Sequence, residues 1–322
     1  MTQPIRTVLF GVGAIGAGIG RLAAERAEIE LVGAIDAAPD KAGRPLFEVL
    51  GTGSGGPAIA ADAEAALAEL QPQLVLHATG SWLPDVLPQL IACAKAGANV
   101  VSTAEELSYP WVRHPELAKQ LDAEARAGGA TLLGTGINPG FVMDTLAVAL
   151  SGVCQKVEAV RLARIVDVST RREQLQRKVG VGLTSAAFRE RAAAGHFGHV
   201  GLKESCWMLA AGLGWRLDSL HEQIEPYAPN GDPAIGMHQT ATGKANGRTV
   251  IEAAVHMSSG AEHPRDEIEI DGSPPVRMVI EGGIMGDTAT AAIIVNAGRR
   301  VVDCAPGLVT MLDLPPIAGP GA

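Results

Sequence analysis

The chain has 322 residues, 47% hydrophobic and 19% charged, a composition that fits folded domains and excludes a disordered polymer. Aromatic residues make up only 3% and the formal net charge is -9, which argues against a nucleic-acid surface built on stacking platforms and a basic footprint. No run of about 18 uncharged apolar residues occurs, and residues 1–6 lack a signal-peptide core, so a soluble cytoplasmic protein with no membrane partner is expected.

Residues 7–10 form a short apolar run that breaks at Gly11, and 14–27 follow with helical character. Further buried strands are predicted at 30–36 (E-L-V-G-A-I-D), 73–79 (Q-L-V-L-H-A-T) and 98–102 (A-N-V-V-S). Residues 84–96 and 115–127 fill helical slots, the second opening on Pro115, which suits a first helical position. Apolar runs of this length spaced by helices imply a Rossmann-type, doubly wound parallel sheet of the α/β class, covered on both faces. After Leu150 the pattern changes. Strands are predicted at 156–168, 234–242, 249–257, 266–271, 276–281 and 288–295, with helices at 184–194 and 202–213. That pattern describes a second α+β domain with a mixed or antiparallel sheet. The expected division is a dinucleotide-binding domain over 1–136, a substrate-binding and oligomerisation domain over 137–303, and a segment 304–322 that returns to the first domain. The mixed sheet points to a homodimer, and 51–56 (G-T-G-S-G-G) to a mobile loop.

Gly11-Val12-Gly13-Ala14-Ile15-Gly16 matches G-x-G-x-x-G between a predicted strand and a predicted helix. In such a loop the first glycine makes the tight turn, the second lets backbone approach a pyrophosphate and the third permits close helix–strand packing. The helix N-terminus then offers free N–H groups to the phosphates. Asp36 lies twenty positions beyond Gly16, where a carboxylate accepts from the adenosine ribose and repels a 2′-phosphate. Lys41 and Arg44 follow closely and suit a 2′-phosphate, so NAD is the expected cofactor and NADP the alternative.

Ligands of open parallel sheets bind beyond the carboxyl ends of the strands. Three such ends carry small or polar residues. The first holds His77, read as a core histidine, and then Ala78, Thr79 and Gly80 as cofactor contacts. The second presents Glu105 and Glu106, readable as capping carboxylates on a solvated surface or as an acid beside the cofactor. The third opens residues 134–144 (G-T-G-I-N-P-G-F-V-M-D), a turn that reads as backbone passing close to a ligand. There Asn138 and Pro139 are cofactor candidates, and Phe141 and Asp144 substrate candidates. The four cysteines lack zinc-type spacing and read as buried thiols; no metal is expected.

Together, G-V-G-A-I-G, L-V-L-H-A-T, N-V-V-S-T-A-E-E-L-S-Y-P-W, the 134–144 loop and the terminal A-P-G-L-V-T-M-L-D-L-P carry a resemblance over nearly the whole chain. The sequence resembles 2,4-diaminopentanoate dehydrogenase and the related native amine dehydrogenases, whose fold is similar to that of dihydrodipicolinate reductase. The resemblance implies NAD(P)-dependent oxidative deamination of an amine on a secondary carbon, and the reverse reductive amination of a ketone with ammonia. It also implies one acid–base glutamate, placed at Glu105 with Glu106 as the one-residue alternative. The match is poorer across 167–182 and 226–243, which leaves the identity of the amine open. Arg171, Arg172, Arg177 and Lys178 read either as a carboxylate clamp or as a solvated surface, and 195–201 (G-H-F-G-H-V-G) either as a lid or as a surface loop. Two other functions stand beside this one: a C=N reductase without ammonia exchange, and a non-catalytic dinucleotide-binding sensor. The His-rich, Lys-containing segment of the reductases is absent from the sequence.

Overall fold

A computed structural model describes residues 3–195 and 197–321. The chain divides into two compact units, Met1–Gly140 with Met285–Ala322, and Phe141–Ile284. The division expected from sequence runs after 136 and after 303; contacts place it after Gly140 and Ile284, because the last long helix packs in the first unit.

That unit is built on strands β1 (Ile5–Phe10), β2 (Ile29–Ile35), β3 (Ile59–Ala60), β4 (Leu74–His77), β5 (Asn99–Ser102), β6 (Thr131–Gly134) and β13 (Gly307–Val309). Their order is β13-β6-β5-β4-β1-β2-β3 and every pairing is parallel, as expected for a doubly wound sheet. The order reverses between β1 and β4, the topological switch point. The C-terminal segment closes the sheet through β13, where the Leu308 amide donates to Asp122 Oδ1 on the following-face helix at 2.9 Å.

Helices α1 (Ala14–Ala24), α2 (Leu46–Leu50), α3 (Ala63–Leu70), α4 (Leu83–Lys95), α5 (Pro115–Gly128) and α10 (Gly286–Val302) cover both faces. Val8, Phe10, Val75, Val100 and Leu132 face α3, α4 and α5 in one apolar core. Alternate strand residues face the other way, and two glycines there bring helices close. A Cβ on Gly20 of α1 would come within 2.8 Å of Leu9, and one on Gly298 of α10 within 2.7 Å of Leu74. Asp62 caps α3 by accepting from the Ala65 amide, and Gly129 closes α5 in the left-handed conformation. The strand predicted at 288–295 is a correction: these residues lie in α10. Its buried residues Ala291, Ile294, Val295, Gly298 and Val301 recur at helical spacing, and the β-branched Ile293-Ile294-Val295 run imitates a strand.

The second unit carries α6 (Thr145–Ser151), α7 (Glu173–Lys178), α8 (Ser185–Ala193) and α9 (Leu202–Gly212). Its six-stranded sheet comprises β7 (Lys156–Asp167), β8 (Ser219–Tyr227), β9 (Gly236–Ala245), β10 (Arg248–Ser258), β11 (Arg265–Ser273) and β12 (Val276–Glu281). The order is β12-β11-β7-β10-β9-β8, with β7 and β10 parallel and the other pairs antiparallel, so the sheet is mixed. A buried ion pair crosses it, Arg164 Nη1 standing 3.1 Å from Asp266 Oδ1. Of the four free thiols, Cys93 and Cys206 are buried and Cys154 and Cys304 half-buried; burial pushes Cys93 up to about 12. Among the described residues no helix is long and apolar enough to cross a membrane.

Candidate active site

The glycine loop between β1 and α1 has three glycines with three different surroundings. Gly11 sits at φ +92, and a Cβ there would fall 2.5 Å from the Ala78 carbonyl oxygen. A Cβ on Gly16 would overlap the Gly11 carbonyl, so this glycine lets the helix lie against the turn. Gly13 is the N-cap of α1, exposed, and a Cβ there would meet no atom within 4 Å. No side chain caps the helix at this end, so its first-turn N–H groups, which lack intrahelical acceptors, face outward.

Asp36 follows β2 and is wired to the same loop. Its Oδ2 accepts from the Val12 amide at 2.8 Å and from Lys41 Nζ at 2.9 Å, and its Oδ1 accepts from the Ala38 amide at 2.9 Å. Burial alone raises the carboxyl, but these three hydrogen bonds and the Lys41 charge outweigh it and hold Asp36 below its ordinary range.

At the end of β4, His77 is fully buried. Its Nε2 donates to Gln89 Oε1 at 2.8 Å, and its Nδ1 accepts from Ser102 Oγ at 2.8 Å. Ser102 Oγ in turn accepts from the Ala104 amide. Burial depresses His77 to about 4, so the ring is neutral and ties β4, β5 and α4 together. Thr79, two residues on, is exposed and shares Gln89 with it.

The chain leaves β5 into a 3-10 turn, Glu105–Ser108, closed by Ser108 Oγ donating to the Glu105 carbonyl at 2.7 Å. The two glutamates separate here. Glu106 is 2% exposed, and its Oε2 accepts from the Leu83 amide at the start of α4 (2.9 Å) and from His114 Nε2 (2.8 Å). Arg113 Nε lies 3.4 Å from its other oxygen. Glu105 is half-buried. Gly134 supports this turn: a Cβ there would fall 2.5 Å from the Leu107 carbonyl carbon and 2.6 Å from the Ser108 nitrogen.

Beyond β6 the Thr135 amide donates to Ser102 at 2.9 Å, while Thr135 Oγ1 is buried with no hydrogen-bond partner. Gly140 sits at φ +122, its Cβ position 2.5 Å from Thr135 Oγ1. Gly134 and Gly140 thus have a packing reason to be glycine, their Cβ positions being filled by protein atoms.

A comparison with known families adds to this geometry. Residues 141–319, more than half of the chain, match the family described as the 2,4-diaminopentanoate dehydrogenase C-terminal domain. The chain belongs to the 2,4-diaminopentanoate dehydrogenase family. It is 29% identical to 2,4-diaminopentanoate dehydrogenase of Acetoanaerobium sticklandii over 97% of this chain and 94% of that one. It is 27% identical to an amine dehydrogenase of Streptomyces virginiae over 97% and 96% of the two chains. The structure of an amine dehydrogenase from Mycobacterium smegmatis superposes with a TM-score of 0.88 at 28% identity, covering 98% of this chain and 97% of that one.

In this member of the 2,4-diaminopentanoate dehydrogenase family, the candidate residues Gly11, Gly13, Ala14, Ile15, Gly16, Asp36, Ala78, Thr79 and Gly80 gather at the C-terminal ends of β1, β2 and β4, around the switch point. Glu105 and Glu106 follow β5, and Asn138 and Pro139 follow β6 in the same unit, joined by a cis peptide bond. Phe141, half-buried, and Asp144 fall in the second unit. The carboxylate of Asp144 is fully buried, caps α6 through the Thr145 amide and accepts from Ser205 Oγ at 2.7 Å. On α7, Arg177 is exposed and pairs with Glu173, as a solvated surface does. The Lys178 carbonyl accepts from the Gly198 amide; burial, with the charges of Lys178 and Arg164, holds His199 down at about 3. His196, within the 195–201 segment read as lid or loop, lies outside the described residues. No group of three or more His, Cys, Asp or Glu side chains suited to a metal occurs among the described residues. The Asp36–Lys41 pair and the anchoring of Glu106 go beyond the sequence expectations; the five-residue spacing from Asp36 to Lys41 is the signal available for the first.

Proposed function

We propose that this chain is an NAD(P)-dependent amine dehydrogenase, oxidising an amine on a secondary carbon to a ketone and ammonia and running in reverse as a reductive aminase. One observation carries the assignment of roles: of two adjacent glutamates at the β5 end, Glu106 is buried and committed to Leu83, Arg113 and His114, whereas Glu105 is half-buried on the turn they brace.

The first unit fits a dinucleotide. Gly13 opens onto no protein atom beside an uncapped helix N-terminus, which is the cradle a pyrophosphate requires. Gly11, Gly13, Ala14, Ile15, Gly16, Asp36, Ala78, Thr79, Gly80, Asn138 and Pro139 are the residues that would hold it, with Phe141 against the substrate. Bound there, the dinucleotide supplies the hydride acceptor. Glu105 does the proton work. An ammonium has no lone pair to stabilise an adjacent cation, so Glu105 takes a proton from the substrate nitrogen, passes it to solvent and is left as a carboxylate beside the neutral amine. Its negative charge then favours the iminium over the amine. Water adds to the iminium carbon and gives a proton to Glu105, Glu105 hands that proton to nitrogen, and ammonia leaves as the hydroxyl returns a proton to Glu105 and the carbonyl forms. The first unit is thus the dinucleotide-binding domain and the second the substrate-binding and oligomerisation domain. We place the protein in the cytoplasm as a homodimer.

The test is ketone-driven oxidation of NADH and NADPH with and without ammonium, using ¹⁵N-ammonium to label the product. Turnover that requires ammonium and yields a ¹⁵N-amine supports the reading. Equal turnover without ammonium indicates a reductase that exchanges no ammonia, and tight cofactor binding with no turnover indicates a sensor.

A further inference from the structure

On the sheet of the second unit, two histidines stand directly opposite each other. His238 of β9 is the antiparallel partner of His256 of β10, so both side chains leave the same face of the sheet. Their ring centroids lie 5.9 Å apart and the ring planes are tilted by 51°. His238 is exposed, whereas His256 is half-buried and held by two neighbours. The Tyr227 ring stands edge-on against His256, with centroids 4.4 Å apart and planes at 87°. Tyr227 reaches it because its own partner on β9 is Gly236, which has no side chain to stand in the way. In addition, His256 Nε2 lies 3.0 Å from Ser258 Oγ. With Nε2 donating to that hydroxyl, Nδ1 keeps its lone pair, which is how a metal-binding histidine is oriented. Glu225, the partner of His238 on β8, is engaged by Arg189 at 3.2 Å. The row therefore offers two imidazoles, and no third His, Cys, Asp or Glu among the described residues completes a metal-binding group.

We infer that His238 and His256 form a two-imidazole site for a divalent transition metal of the zinc or copper class. Neutral imidazole suits these ions, whereas Mg²⁺ and Ca²⁺ take oxygen ligands. At Zn–N bonds of about 2.0–2.1 Å, two imidazoles at a tetrahedral angle have ring centres roughly 5 Å apart. The observed 5.9 Å is wider by only about 1 Å, and a turn of the exposed His238 ring closes that gap. The paired strands already fix both backbones, and Tyr227 and Ser258 hold one of the rings, so binding has to order little more than the His238 side chain. Water completes the coordination, which makes the ion exchangeable. No residue assigned to the amine chemistry belongs to the pair, so the site stands or falls independently of that reading.

The experiment is calorimetric titration of the untagged full chain, first stripped with a chelator, with Zn²⁺, Cu²⁺ and Mg²⁺ at about pH 7.5, where an imidazole of ordinary pKa near 6.5 is mostly neutral. The same titrations are run on His238→Gln and His256→Gln, with metal-free thermal midpoints to check the fold. The natural chain should bind Zn²⁺ and Cu²⁺ and not Mg²⁺, and the electron paramagnetic resonance of bound Cu²⁺ should show two coordinated nitrogens. Each substitution should weaken that binding about tenfold or more, since even an outer-shell partner of a metal ligand is worth roughly 10- to 100-fold. The chain has eight histidines, so the two variants decide which of them hold the ion. Absence of Zn²⁺ and Cu²⁺ binding overturns the site, and so does binding that either substitution leaves unchanged. Should His256→Gln fail to fold, the exposed His238→Gln still decides: its Cu²⁺ spectrum must lose a nitrogen, and an unaltered spectrum refutes the pair.

Discussion

The two glycine-rich loops of the first unit look alike in sequence and differ in what their glycines meet. In residues 134–140, Gly134 and Gly140 are small because Leu107, Ser108, Thr135 and Gly136 crowd them. In residues 11–16, Gly11 and Gly16 are crowded in the same way, but a Cβ on Gly13 would reach no protein atom. Gly11 and Gly16 shape the turn itself, and Gly13 is the glycine of the first loop whose bareness no protein atom explains. The same contrast separates neighbouring polar residues at the strand ends: His77 and Glu106 are buried and spent on holding elements together, and Glu105 is not fully buried.

Substitutions sharpen the contrast. Gly134→Val should be the most damaging to stability. It drives a side chain into backbone of the 105–108 turn, a kind of overpacking that costs about 3 kcal/mol or more where backbone cannot yield. Its thermal midpoint should fall by many degrees and its catalysis with it; a near-normal midpoint would mean the turn is loosely held. His77 gives an effect of similar size through pH. Its folded-state value of about 4 lies below the ordinary 6.5, so the unfolded chain binds the extra proton between them. That contribution is complete above about pH 6.5 and is lost as pH falls toward 4, at about 1.4 kcal/mol per pH step, roughly 3 kcal/mol in all. The urea midpoint should drop across this window, and His77→Gln should flatten the drop. A third change, Gly13→Val, should leave stability within about 1 kcal/mol, as an exposed position does. Cofactor affinity measured by calorimetry should nonetheless fall at least tenfold, about 1.4 kcal/mol. Undiminished affinity would show Gly13 to be an ordinary turn residue.

Most of the first sheet was legible because β1, β2, β4, β5 and β6 are short apolar runs ended by Gly, Ser, Thr or Asp. The small β3 and the edge strand β8 were not. Ser219–Tyr227 carries His, two Glu, Gln and Pro, and its residues alternate between half-buried and exposed, never buried, so no apolar signal marks it. In helix α10 three β-branched residues imitate a strand, although the buried positions follow a helical period. In the site, the G-x-G-x-x-G loop and Asp36 were readable from spacing. What distinguishes Glu105 from Glu106 was not, since it depends on the amide of Leu83, twenty-three residues earlier, and on His114 beyond the turn. Likewise, spacing alone could not reveal that Asp36 accepts from Val12 across the loop.

On the proposed assignment, Glu105 performs the proton chemistry while Glu106 holds the turn that carries it. The most direct measurement is kcat for amine oxidation by Glu105→Gln, read beside its thermal midpoint and the same pair of values for Glu106→Gln. Glu105→Gln should lose roughly 10² to 10⁴ in kcat, the span for removing a positioned general base, with the midpoint and cofactor affinity held. Glu106→Gln should lower the midpoint by weakening charged hydrogen bonds worth about 1.5–3 kcal/mol each. A Glu105→Gln enzyme that keeps most of its kcat would contradict the assignment and move the acid–base role to another residue.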